Sequence, residues 1–205
     1  MAQRLFGTAG IRGVTNVGIT AELALRVARA YGDYIVKNAR KHGSVAVGHD
    51  TRWGAEMLAR AAASGFASAG IHVQFYGCVS TGVFSLNVAR TQQDGGLLVT
   101  GSHMPPDRIG LILVEGDGAI APFSVTDKVE AILESDDYRE VPPQQVGRLE
   151  EAFHPYEQYV SECMQALDAP LCRQKHYKVL ADPANGTASY IAMEFFQWLG
   201  CKTEL

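Results

Sequence analysis

Several common chemistries are missing from this chain. Its four cysteines, Cys78, Cys163, Cys172 and Cys201, are scattered with no CxxC pair, which excludes a zinc ribbon and a small disulfide framework. They read as free, mostly buried thiols. The six histidines include no HxxxH pair, so no helical metal site is indicated. No apolar run approaches the roughly 20 residues of a membrane helix. The N-terminal stretch MAQRLFGTAG lacks the charged-then-apolar pattern of a secretory signal, and the expected compartment is the cytoplasm. Lysine and arginine are scattered and the net charge is −4, which argues against nucleic acid and against a basic membrane-binding face. There is neither a phosphate-binding P-loop nor a dinucleotide fingerprint.

What is present is the composition of a globular protein, 47% hydrophobic and 20% charged. At 205 residues it has room for about one ordinary domain and part of another. Thr20 reads as an N-cap, and Leu23, Val27, Tyr31 and Ile35 recur at helical spacing until Gly43. A short apolar strand, 44–48, follows and closes on His49-Asp50-Thr51-Arg52. Next come an alanine-rich helix (54–69), a strand (71–76), a short helix (83–90), and the strand Leu97-Leu98-Val99. A further strand (109–114), a tight turn at Glu115-Gly116-Asp117-Gly118 and a helix (123–133) complete the series.

Helices alternating with short apolar strands predict an α/β layered domain, with a mainly parallel or mixed sheet between helices. Residues 136–150 carry charges, two prolines and no apolar period. The reading is therefore a first domain over 1–140, a linker over 141–152, and the incomplete start of a second, similar α/β domain over 153–205. That last piece reads as a helix (156–167), a strand (178–182), a turn (183–186), a helix reaching Leu199 and the opening of another strand.

In such folds ligands gather outside the carboxyl ends of the strands, where both His49-Asp50-Thr51-Arg52 and Thr100-Gly101-Ser102-His103 fall. The serine is the candidate nucleophile. A hydrolase would set it in a GxSxG elbow that opens a helix, but Ser102 is followed by His103-Met104-Pro105-Pro106, and no helix can start there. A phosphoryl-carrying serine needs a rigid loop, nearby cations and a divalent metal. The prolines supply rigidity, and Arg12, His103 and Arg108 are the cations. Arg12 sits among Gly7, Gly10 and Gly13, either as an anion-binding backbone with a guanidinium or as a plain glycine-rich lead-in.

Four ordered motifs, FGTAGIRG (6–13), GHDTR (48–52), TGSHMPP (100–106) and ADPANG (181–186), together resemble the α-D-phosphohexomutase superfamily. That group includes phosphoglucomutases, phosphomannomutases and phosphoglucosamine mutases. The resemblance implies a four-domain enzyme that interconverts sugar 1-phosphate and 6-phosphate through a bisphosphorylated intermediate. It makes Ser102 the phosphoserine, with one phosphate oxygen on Mg²⁺, and puts Arg12 and His103 around that phosphate. Arg108 and Thr100 are the substrate-binding candidates, a sugar bisphosphate is the implied activator, and a phosphosugar and the remaining domains of the same enzyme are the implied partners.

Three departures accompany the resemblance. The relatives continue the loop as PPxxNGxK and use its lysine for proton transfer, whereas Ile112 stands here; Met104 replaces a usual asparagine. Either Arg108 or His103 then provides the cationic character, His103 being the better proton carrier because imidazole titrates near neutrality, or the general acid/base is a different group. The metal loop, the sugar-selecting loop and the last phosphate-binding loop of the relatives have no counterpart in this stretch. The chain alone is therefore expected to be inactive. The competing expectations are a short binding or regulatory relative and a serine hydrolase.

Overall fold

In a computed structural model, residues 4–38, 41–152 and 154–205 are described. The chain forms two compact units, the first running to residue 153 and the second spanning His154–Leu205. In chain order the first unit contains β1 (Ile11–Val14), α1 (Ala21–Asn38), β2 (Ser44–His49), α2 (Ala55–Ser68), β3 (His72–Cys78), α3 (Thr81–Arg90), β4 (Gly95–Thr100), β5 (Arg108–Glu115), α4 (Phe123–Ser135) and β6 (Leu149–Glu151).

Six strands form one mixed sheet in the order β1-β5-β4-β2-β3-β6. The β2–β3, β2–β4 and β3–β6 pairs are parallel, while β5 runs antiparallel to both β4 and β1. Strand alternation sorts the side chains into two faces. Val45, Val47, Leu97, Val99, Leu111 and Leu113 join one core with residues of α1, α2 and α4. The opposite face is thin in side chains at Gly48 and Gly96, where a Cβ would collide with Phe84 of α3. The layered α/β expectation is met, with three helices on one face and α3 on the other.

Two stretches differ from the sequence reading. The glycine-rich lead-in contains a strand, β1, which pairs with β5 over Ile11–Val14. The segment 141–152, expected to be a linker, is bound to the first unit. The Gly147 amide donates to the Ala67 carbonyl at 2.9 Å, and β6 then adds a parallel edge to β3. Just upstream, the Arg139 amide donates at 2.8 Å to the fully buried Asp33 carboxylate. Glu150 and Glu151 hide β6 from an apolar count, because an edge strand this exposed is held by backbone pairing.

The second unit comprises α5 (Pro155–Ala166), α6 (Ala169–Lys175), β7 (Lys178–Leu180), α7 (Ala192–Trp198) and β8 (Lys202–Glu204), with β7 and β8 parallel. A 3-10 turn at Thr187–Tyr190 occupies part of what reads as a single helix. No disulfide joins any of the four cysteines, and each is partly exposed where the sequence reading has them mostly buried.

Glu115 closes β5. Burial, and then the nearby Asp117, hold its carboxyl above the usual glutamate range. The folded state thus binds this proton more tightly than the unfolded chain, and the linked stability falls as pH rises from the ordinary glutamate value through the raised one. Thermal melts should show Glu115→Gln matching the parent below the ordinary glutamate range, gaining on it as pH rises through the raised value, and keeping a constant lead above it.

Candidate active site

The serine loop is assembled by two residues fifty positions upstream. Where β2 ends, the Asp50 amide donates to the Val99 carbonyl at 2.9 Å, which extends the strand pairing by one residue. This brings the Asp50 carboxylate under the end of β4. Its Oδ2 accepts from the Gly101 amide at 2.7 Å and the Thr100 hydroxyl at 2.9 Å, and its Oδ1 accepts from the Arg52 amide at 2.9 Å.

The Arg52 side chain turns back over this carboxylate, with Nε 3.4 Å from Asp50 Oδ2. Its terminal nitrogens donate to four loop carbonyls, those of Ser102 (2.8 Å), Met104 (2.7 Å), Pro105 (2.5 Å) and Arg108 (3.2 Å). A rigid guanidinium fork can satisfy such a set, and a lysine ammonium cannot. Gly101 is required by this packing, since a Cβ there would overlap the Arg52 guanidinium. Both side chains are largely buried, at 16% and 14% exposure for Arg52 and Asp50, so the pair is shielded from solvent.

The loop presents Ser102 at its tip. The residue is exposed and sits in the left-handed region at φ 50°, a conformation that costs a non-glycine residue energy and that the clamp must hold. Its amide donates to the Thr100 hydroxyl oxygen at 3.2 Å, and its Oγ lies 3.3 Å from His103 Nδ1. No helix follows; two turns, Met104 amide to Gly101 carbonyl and Arg108 amide to Pro105 carbonyl, lead straight into β5.

The structure brings Ser102 and His103 together and puts the other sequence candidates around them at different distances. Arg12 of β1 is exposed, opposite Gly110, which in turn is opposite Thr100. It thus shares the Thr100 face at two strand spacings, roughly 10 Å. Thr100 is only 8% exposed and its hydroxyl is engaged on both sides, by Asp50 and by the Ser102 amide. Arg108 is exposed and offers its carbonyl to Arg52. Ile112, on the face shared with Arg12, is opposite Leu98 and 5% exposed. Buried hydrocarbon therefore occupies the position where the family resemblance implies a lysine.

Asp50 and Arg52 are the candidate functional residues that the sequence reading left without a role. Their signal was the polar cluster closing β2 at a strand's carboxyl end. A metal is not provided for: among the described residues no three histidine, cysteine or acidic side chains are placed to hold one, and both Asp50 oxygens are engaged.

Residues 3–140 match the family model for phosphoglucomutase/phosphomannomutase, alpha/beta/alpha domain I. The chain belongs to the phosphoglucomutase/phosphomannomutase family. Among curated relatives, a probable phosphoglucosamine mutase of Thermococcus gammatolerans is 34% identical over 97% of this chain and 42% of its own length. A phosphoglucomutase/phosphomannomutase of Thermococcus kodakarensis is 32% identical over 97% of this chain and 43% of its own. A solved structure from Thermus thermophilus covers 99% of this chain and 46% of that one, with a TM-score of 0.84 at 27% identity. The chain thus spans less than half the length of these family members.

Proposed function

We propose that this chain is the phosphoryl-carrying part of a phosphohexomutase, an isomerase that interconverts hexose 1-phosphate and 6-phosphate through a bisphosphate. The observation that carries the reading is a left-handed, exposed Ser102 held on a loop clamped by Arg52 and Asp50, with an imidazole 3.3 Å from its oxygen. In the transfer, a sugar hydroxyl oxygen loses its proton and bonds to phosphorus as the bond from phosphorus to Ser102 Oγ breaks. Ser102 Oγ takes up a proton on leaving, so no proton is gained or lost overall, and His103, 3.3 Å from that oxygen, is the proposed carrier of the proton from the sugar hydroxyl to the serine. The reverse step, from the other end of the reoriented sugar, restores the phosphoserine. Little covalent work falls to the protein in such a transfer, so positioning and charge dominate.

Arg12 and Arg108 are the cations for the phosphate and its substrate, since a phosphoserine adds roughly −1.5 to −2 charges at neutral pH. Thr100 serves by holding the Ser102 amide. If magnesium is bound, this chain would supply one ligand, an oxygen of the Ser102 phosphate, and the rest would come from other domains. A sugar bisphosphate is the activator that would first load Ser102. The cytoplasm is the proposed compartment, consistent with the observation that no helix among the described residues is long and apolar enough to cross a membrane.

Two assays test the reading. Incubated with glucose 1-phosphate and a bisphosphate activator, the 205-residue chain should show no turnover, whereas a polypeptide that adds the length its relatives carry should. A fluorophosphonate probe should leave Ser102 unmodified in both; labelling would move the assignment to a serine hydrolase.

A further inference from the structure

Gly110 sits in the middle of a row of three opposed residues, Arg12 on β1, Gly110 on β5 and Thr100 on β4. Opposed residues of neighbouring strands share a face, so the row runs from Arg12 to the residue that begins the serine loop. Arg12 is exposed, and among the described residues its guanidinium forms no ion pair. Gly110 is buried, and its backbone lies outside the left-handed region, so the local conformation does not call for glycine.

What calls for it is the space above it. A strand side chain ordinarily stands roughly perpendicular to its sheet. The Arg12 stem instead leans over β5, with its Cγ 3.2 Å from the position that a Cβ on Gly110 would take. The carbonyl oxygens of Ile11 and Thr100 lie 3.1 and 3.2 Å from the same point. Other buried glycines differ. At Gly65 and Gly147 a Cβ would collide with the carbonyl oxygens of Leu25 and Ile71, which are fixed backbone, so the fold itself needs those two. At Gly110 the contacts are looser and one of the three is a flexible side chain, which a methyl group would push aside without unfolding the sheet. The lean takes the Arg12 stem off β1 towards β4, closing part of the roughly 10 Å that separates Arg12 from Thr100. Beyond Thr100 come Gly101 and Ser102.

We propose that Gly110 is a positioning residue for phosphoryl transfer: its missing side chain leaves the slot in which the Arg12 stem lies, and that slot aims the guanidinium at the phosphate on Ser102. This role presupposes that Ser102 carries the phosphoryl group, and it assigns the residue that orients the cation facing it.

The test compares Gly110→Ala, Arg12→Met and the double variant in the complete enzyme. Gly110→Ala should melt with the parent and lose roughly 10- to 100-fold in kcat/KM, as a displaced positioning group does. Arg12→Met keeps a stem but no guanidinium, so adding Gly110→Ala to it should change turnover by less than about twofold. In the 205-residue chain, nuclear Overhauser contacts should join the Gly110 α-protons to the Arg12 side-chain methylenes. A comparable loss in the Arg12→Met background, parental turnover by Gly110→Ala, failure of Gly110→Ala to fold, or absence of those contacts would each overturn the proposal. Parental turnover by Ser102→Ala would instead overturn both this role and the carrier reading beneath it.

Discussion

Arg52→Met is expected to lower the stability of the first unit by about 2–4 kcal/mol and to strip the amides of residues 101–108 of their protection from hydrogen exchange. The size follows from what the guanidinium touches. It donates to four carbonyls of one loop and lies over a carboxylate, and both charges are mostly shielded from water. Methionine fills much of the same volume but leaves those carbonyls unmet and Asp50 without its countercharge. Arg52→Lys should recover less than half of the loss, because one ammonium cannot span carbonyls spread from Ser102 to Arg108. Chemical denaturation with hydrogen exchange reads both effects. A loss confined to stability, with 101–108 still protected, would mean that the prolines alone hold the loop.

Ser102→Ala should leave that stability unchanged and reduce turnover of the complete enzyme by on the order of 10³-fold or more, as loss of a covalent nucleophile does. Among the described residues, Ser102 Oγ is hydrogen-bonded to His103 alone, and the side chain is exposed, so its removal leaves no buried group unpaired. Ser102→Gly sharpens the contrast. Glycine relieves the left-handed backbone at φ 50°, which offsets its own entropy cost, so stability should stay within about 1 kcal/mol while activity is equally lost. Parallel melts and steady-state assays separate this from damage to the loop. His103→Asn should reduce turnover less than Ser102→Ala and flatten the pH profile near neutrality if the imidazole handles the proton.

The location of the candidate site was legible because it depends on local pattern. An apolar run, Leu97–Val99, ends in glycine, serine and two prolines at the carboxyl end of a parallel strand, and ligands collect there for topological reasons. How the site is held was not legible. The clamp joins Arg52 to residues fifty or more positions away, and only the β2–β4 register brings them together. The lead-in strand β1 escaped for a related reason: glycines at 7, 10 and 13 resemble a loop, and the pairing that makes Ile11–Val14 a strand is supplied by β5. Likewise β6 has no apolar alternation to detect. The consequence is practical, since a unit ended at residue 140 would lose the edge strand and the Gly147–Ala67 bond.

Ile112 stands where the family resemblance implies a proton-carrying lysine. The side chain is packed beside Leu98 on the face that also carries Arg12, so no modest movement turns that place into a proton carrier. If the chemistry runs, the burden falls on the imidazole next to Ser102. The account therefore stands or falls on whether the serine is phosphorylated at all.

The most direct measurement is peptide mapping by mass spectrometry of the protein isolated from its own cells and kept cold with phosphatase inhibitors. The account predicts the added mass of one phosphate on the peptide carrying Ser102, assigned to that serine by fragmentation and absent from Ser102→Ala. An unmodified Ser102 that also fails to take up phosphate from a sugar bisphosphate in the complete enzyme, or a phosphate lodged on another residue, would contradict it.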